Sequence, residues 1–127
     1  MSNAEDYQFE VRVQTRFLAE QSDEESGPYV FAYTIEILNV GDEPAQLLTR
    51  HWIITDAENE IQEVKGEGVV GEQPVIKPGQ KFEYTSGCPL PTPVGTMKGN
   101  YTFVGQDGEQ FKVPIPESVL SMPRTLH

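Results

Sequence analysis

The sequence is poor in cysteine, histidine, positive charge and long apolar runs, and each shortage excludes something. A single cysteine, Cys88, rules out an intrachain disulfide and suits a reducing compartment. No apolar run approaches the roughly 20 residues that a membrane-spanning helix requires, so membrane insertion is not expected. The opening "MSNAEDYQFE" has neither a basic n-region nor an apolar h-region, so it does not read as a signal peptide, and a cytoplasmic location is expected. Nine Lys and Arg face 20 Asp and Glu, for a net charge of −11, and the basic residues are scattered. That balance disfavours direct nucleic-acid binding, which relies on Lys and Arg to displace counterions from phosphates. An acidic surface instead serves solubility, a basic protein partner or weak attraction of divalent cations. The histidines, His51 and His127, together with one cysteine fall short of the usual set of about four zinc ligands.

What is present is alternation. In "YVFAYTIEIL", Tyr29, Phe31, Tyr33, Ile35 and Ile37 share one face, opposite Ala32, Thr34 and Glu36. A period of two marks a half-buried strand. "FEVRVQTRFL" repeats the pattern, and "QLLTRHWIITD", apolar on both faces near Trp52, predicts a central strand. "NEIQEVKG", "QKFEYTSG", "GNYTFVGQ" and "EQFKVPIP" add four shorter candidates, separated by "NVGDEPA", "AENE", "KPGQ" and "GQDG" turns. The prolines fall mostly in connections, notably Pro89, Pro91 and Pro93, and Cys88 reads as a small residue in a turn. The acidic "SDEESG" reads as a mobile loop. About seven strands in roughly 100 residues predict an all-β, immunoglobulin or fibronectin type III-like sandwich of two antiparallel sheets. The "SNA" after Met1 sets residues 1–6 apart as a flexible N-terminus or cloning scar; residues 7–127 are expected to form one domain.

One stretch, "VKGEGVVGEQP", matches G-x-G-x-x-G at Gly66, Gly68 and Gly71. A dinucleotide fingerprint needs a helix after those glycines, whose amides and dipole hold the pyrophosphate. Pro74 and Pro78 interrupt any such helix, and no Gly-Lys-Ser/Thr of a Walker loop follows. Two readings remain open. The glycines supply positive φ in a loop that binds nothing, or successive amides form an anion-binding concavity assisted by Lys65, Arg50 or Lys77. Elsewhere, His51 reads as a packed or hydrogen-bonded residue rather than a base. Asp56, Glu58 and Glu60 read as a solvated turn, without the glycine and distal glutamate of a calcium loop. No nucleophile–base pair is recognisable, and no metal site is designated.

Taken together, "RHWIITDA", "GEGVVGEQP", "YTSG", "PTPVGTMKG" and the closing "MPRTLH" resemble the bacterial ApaG family over nearly the whole chain. The resemblance implies a fibronectin type III-like sandwich for residues 7–127. It also implies kinship with domains fused into larger eukaryotic proteins, where they look like protein-binding modules. In bacteria it implies a genetic link to cobalt resistance and magnesium efflux. It brings no established catalytic residues and no cofactor.

The expected function is therefore a non-enzymatic binding module with an indirect role in divalent-cation homeostasis. Its expected partners are a protein that the sequence does not identify, or a weakly held phosphate or pyrophosphate. The anion-binding candidates are Gly66, Gly68, Gly71, Lys65 and Arg50. The alternative is a nucleotide- or polyphosphate-binding or hydrolysing protein acting at the GEGVVG loop, and a cation sensor using surface carboxylates is a third reading. A homodimer by edge pairing or face packing also stays open.

Overall fold

The computed structural model describes residues 7–123, so residues 1–6 and 124–127, His127 included, lie outside the described residues. The strands are β1 (Phe9–Phe17), β2 (Tyr29–Asn39), β3 (Ala45–Asp56), β4 (Ile61–Glu67), β5 (Val75–Ile76), β6 (Lys81–Leu90), β7 (Val94–Gly105) and β8 (Gln110–Ser121). The only helical element among the described residues is one 3-10 turn, Ala19–Gln21. One antiparallel sheet has the order β1-β2-β6, and the other runs β4-β3-β7-β8 with β5 also paired to β3.

The alternation that predicted strands also sets the core. On β2 the face carrying Tyr29, Phe31, Tyr33, Ile35 and Ile37 is buried, and it meets Trp52, Met97, Tyr101 and Phe103 of the second sheet. The two sheets form the expected all-β sandwich. Where the tyrosine hydroxyls of Tyr84 on β6 and Tyr101 on β7 meet, they hydrogen-bond to each other inside the core. Buried Asn39 is fully used: its amide donates to the carbonyls of Glu43 and Ile76, and its Oδ1 accepts from the Gly41 N–H. A buried amide is tolerated only when its partners are supplied in this way.

The strands number eight, in keeping with about seven expected; the additional one is β5, whose two residues are too few to show a period. Cys88 and Pro89 belong to β6 rather than to a turn, and Cys88 points into the core. Proline is accepted there because β6 is an edge strand, where one side of the backbone needs no ladder partner. The "SDEESG" segment closes as a turn on Asp23, whose carboxylate accepts from the amides of Glu25 and Ser26 and from the Ser26 hydroxyl.

The two long edges of the sandwich differ. Along one, β1 lies against β8, sealed by Tyr7, Phe9, Phe103 and Phe111, whose rings approach to 4.4–6.2 Å between centroids. Along the other, β4 and β6 diverge and leave a cleft between the sheets. Aromatic side chains fill the first seam; in the second, Tyr33 and Trp52 stand on the wall of an open pocket.

Candidate functional site

The cleft is built from inward positions of the strands that flank it. On β3 these are Arg50, Trp52 and Ile54; on β4 their register partners are Gly66, Val64 and Gln62. Across the gap stand Tyr33 of β2 and Ser86, Gly87, Cys88 and Pro89 of β6. Together with Met97 these residues line a pocket of about 180 Å³, and Ile54, Gln62 and Pro89 continue it into a second hollow toward Asp56.

Arg50 is the unusual member. It pairs in register with buried Tyr101, so its side chain starts on the apolar face of the sheet. The guanidinium lies over Gly66, where any Cβ would come within 2.8 Å of it. Nη1 donates to the carbonyls of Glu67 at 3.1 Å and Gly68 at 2.9 Å. Among the described residues no carboxylate lies within ion-pair distance of it, in a chain carrying −11. Gly66 is thus the platform for a cation.

The neighbouring groups are neutral. Burial pushes the Cys88 thiol up to about 11. Burial likewise raises Tyr33, against an opposing hydrogen bond from Ser86 and the pull of Arg50. Tyr84 and Tyr101 are raised beyond the ordinary tyrosine range, again by burial first. Arg50 is therefore the one charge on the pocket wall. A second feature is the indole N–H of Trp52: it is buried and has no hydrogen-bond partner. An unpaired buried donor costs on the order of 1–3 kcal/mol.

The glycine loop has a structural task of its own. β3 bulges at Leu48, between Leu47 and Thr49, and its outer edge passes there from β4 to β5. The loop bridges this change of partner: the Gly68 N–H and the Gln73 side chain donate to the Leu48 carbonyl, and the Leu47 N–H donates to Pro74. Beyond Gly68 the chain reverses through Val70 and Gly71, both at positive φ (43° and 83°), between the mutually hydrogen-bonded Val69 and Glu72. Positive φ at both central residues is the pattern of a type I′ turn. The amides of Gly68, Val69 and Glu72 are engaged within this ladder. No helix follows Gly71.

Of the residues singled out by sequence, the structure brings together Arg50, Gly66 and Gly68. Lys65 stands apart on the outer face, opposite His51 in register, with its Nζ 3.9 Å from Glu63. His51 also faces outward, its Nε2 3.0 Å from Glu63 Oε2. Lys77 lies exposed beyond β5. Asp56 closes the β3–β4 turn, accepting from the amides of Glu58 and Glu60. Tyr33, Gln62, Ser86 and the Trp52 N–H were not anticipated. The signal for the cleft was nonetheless in the sequence: Arg50 falls in phase with Trp52 and Ile54, a charge on a buried face.

Among the described residues, no helix is long and apolar enough to cross a membrane, and no group of three His, Cys, Asp or Glu is placed to hold a metal ion. The family model described as ApaG domain matches residues 19–105. A Protein ApaG from Bordetella pertussis is 58% identical over 131 residues, spanning 100% of both chains. The Protein ApaG of Dechloromonas aromatica is 56% identical over 127 residues, again with 100% of each covered. A crystal structure described as an ApaA protein from Bordetella pertussis matches with a TM-score of 0.92 at 58% identity, covering 95% of this chain and 98% of that one. A second X-ray structure matches with a TM-score of 0.87 at 47% identity, covering 94% and 90%.

Proposed function

The chain belongs to the ApaG domain family, and from that premise we propose that it is a non-enzymatic binding module, engaging a protein partner or small anionic ligand and acting indirectly on Co2+/Mg2+ homeostasis. The observation that carries the reading is Arg50, a guanidinium without a carboxylate partner on the wall of an inter-sheet cleft. A charge held there is useful for recognition, because low-dielectric walls strengthen its attraction for an opposite charge. The glycine loop contributes the surface on which that charge rests.

The test has two arms. In a strain lacking the protein, wild type should restore cobalt tolerance while Arg50→Gln restores it poorly. Purified protein should not turn over a dinucleoside polyphosphate. Multiple-turnover hydrolysis that disappears on mutating His51 or Glu67 would replace the binding module with an enzyme.

A further inference from the structure

Deepening the binding-module reading on which it rests, we propose that the inter-sheet cleft is a site for a compact organic carboxylate, a monoanion on an apolar body, held by Arg50. The stoichiometry of charge comes first. Arg50 is the one cation on the pocket wall, and its Nη1 is already engaged by two backbone carbonyls. What remains matches one negative charge. A phosphate dianion or pyrophosphate needs more, and the next candidate, Lys65, faces the other side of the sheet, next to Glu63. The loop amides of Gly68, Val69 and Glu72 are likewise occupied.

The walls supply the second half. Trp52, Ile54, Val64, Met97 and Cys88 give the pocket an apolar floor that a strongly hydrated inorganic anion does not match. About 180 Å³ suits a small acid or one terminal residue of a peptide. Trp52, whose buried N–H lacks an acceptor, stands on the same wall. The adjoining hollow carries Asp56 and Glu60 beside Ile61 and Leu90, which confines anion recognition to the Arg50 end.

The chain's single tryptophan makes the test direct, since one indole N–H resonance reports on the pocket. Full-length protein is titrated with benzoate, with benzamide as the uncharged isostere, and with pyrophosphate. Benzoate should shift the Trp52 indole and saturate with a dissociation constant of about 1 mM, and benzamide should not. Arg50→Gln should weaken benzoate about tenfold or more, with Lys65→Gln unchanged. The benzamide comparison needs no variant, so a poorly folded Arg50→Gln leaves the test intact. A peptide with a free apolar C-terminus, tighter than benzoate and lost on amidation, would identify a chain end as the source; a weaker peptide would identify a free acid. Either supports the carboxylate site. No indole shift with benzoate or the peptide up to about 50 mM overturns it. So does pyrophosphate binding at residues 68–72 that weakens in Lys65→Gln, although that result leaves the binding module standing. Only turnover removes both.

Discussion

At the scale of single residues, the glycine motif resolves into three separate tasks. Gly66 lies inside β4 and makes room for the Arg50 guanidinium; Gly68 turns the chain at φ 66°; Gly71 completes a tight reversal with Val70. A β-branched residue at positive φ is strained, whereas asparagine is the residue most at ease before glycine in such a turn. Denaturant unfolding should therefore rank three variants. Val70→Asn should stabilise by about 1 kcal/mol. Gly66→Ala should cost about 1 kcal/mol or less, because the side-chain end it meets can move. Gly68→Ala should cost more than about 2 kcal/mol, because positive φ and a collision with the Glu72 carbonyl act together. A Gly66→Ala loss exceeding that of Gly68→Ala would mean that the Arg50 platform is rigid and the account of the loop is wrong.

Between elements, the sheets are joined by packing and by hydrogen bonds that cross between them, among them Asn39 to Ile76, Thr15 to Val119 and the hydroxyl pair of Tyr84 on β6 and Tyr101 on β7. Removing one hydroxyl strands the other in the core, at a cost of about 1–3 kcal/mol, while removing both is close to neutral. Tyr84→Phe and Tyr101→Phe should each destabilise by about that amount, and the double variant should lose clearly less than the sum. Additive losses would show that the two hydroxyls act independently. Seven of the eight strands were legible at this scale because alternation survives on any strand with one buried face. The eighth, Val75–Ile76, was hidden by its length, and the inner end of β6 by Pro89, which an edge position tolerates.

For the whole molecule, the raised ionisations predict a direction for stability against pH. Cys88 ionises at about 11 when folded, above the ordinary thiol value of 9.0, so the folded chain holds its proton longer than the unfolded chain. Stability from this group is complete below pH 9, declines as pH rises from there and is gone above about 11. The buried tyrosines act in the same sense at higher pH. Melting temperature should thus fall as pH rises above 9, and Cys88→Ala should flatten the first part of that fall. An unchanged slope in Cys88→Ala would assign the loss to the tyrosines alone.

By itself the sequence determined the fold class and the family, because a period of two and turn chemistry are local properties, and because linked motifs extend along the whole chain. It also excluded a dinucleotide fingerprint, since Pro74 and Pro78 forbid the helix that such a site needs. Only the tertiary structure decided what the glycines serve. The bulge at Leu48 marks where the edge of β3 passes from β4 to β5, and the loop carrying Gly68 and Gly71 bridges that exchange. Likewise, Arg50 and Lys65 are close in composition and chemistry but lie on opposite faces of one sheet. The cleft itself exists because β1 and β8 close one edge with aromatic rings while β4 and β6 diverge. That difference arises from long-range strand order, which no local pattern encodes.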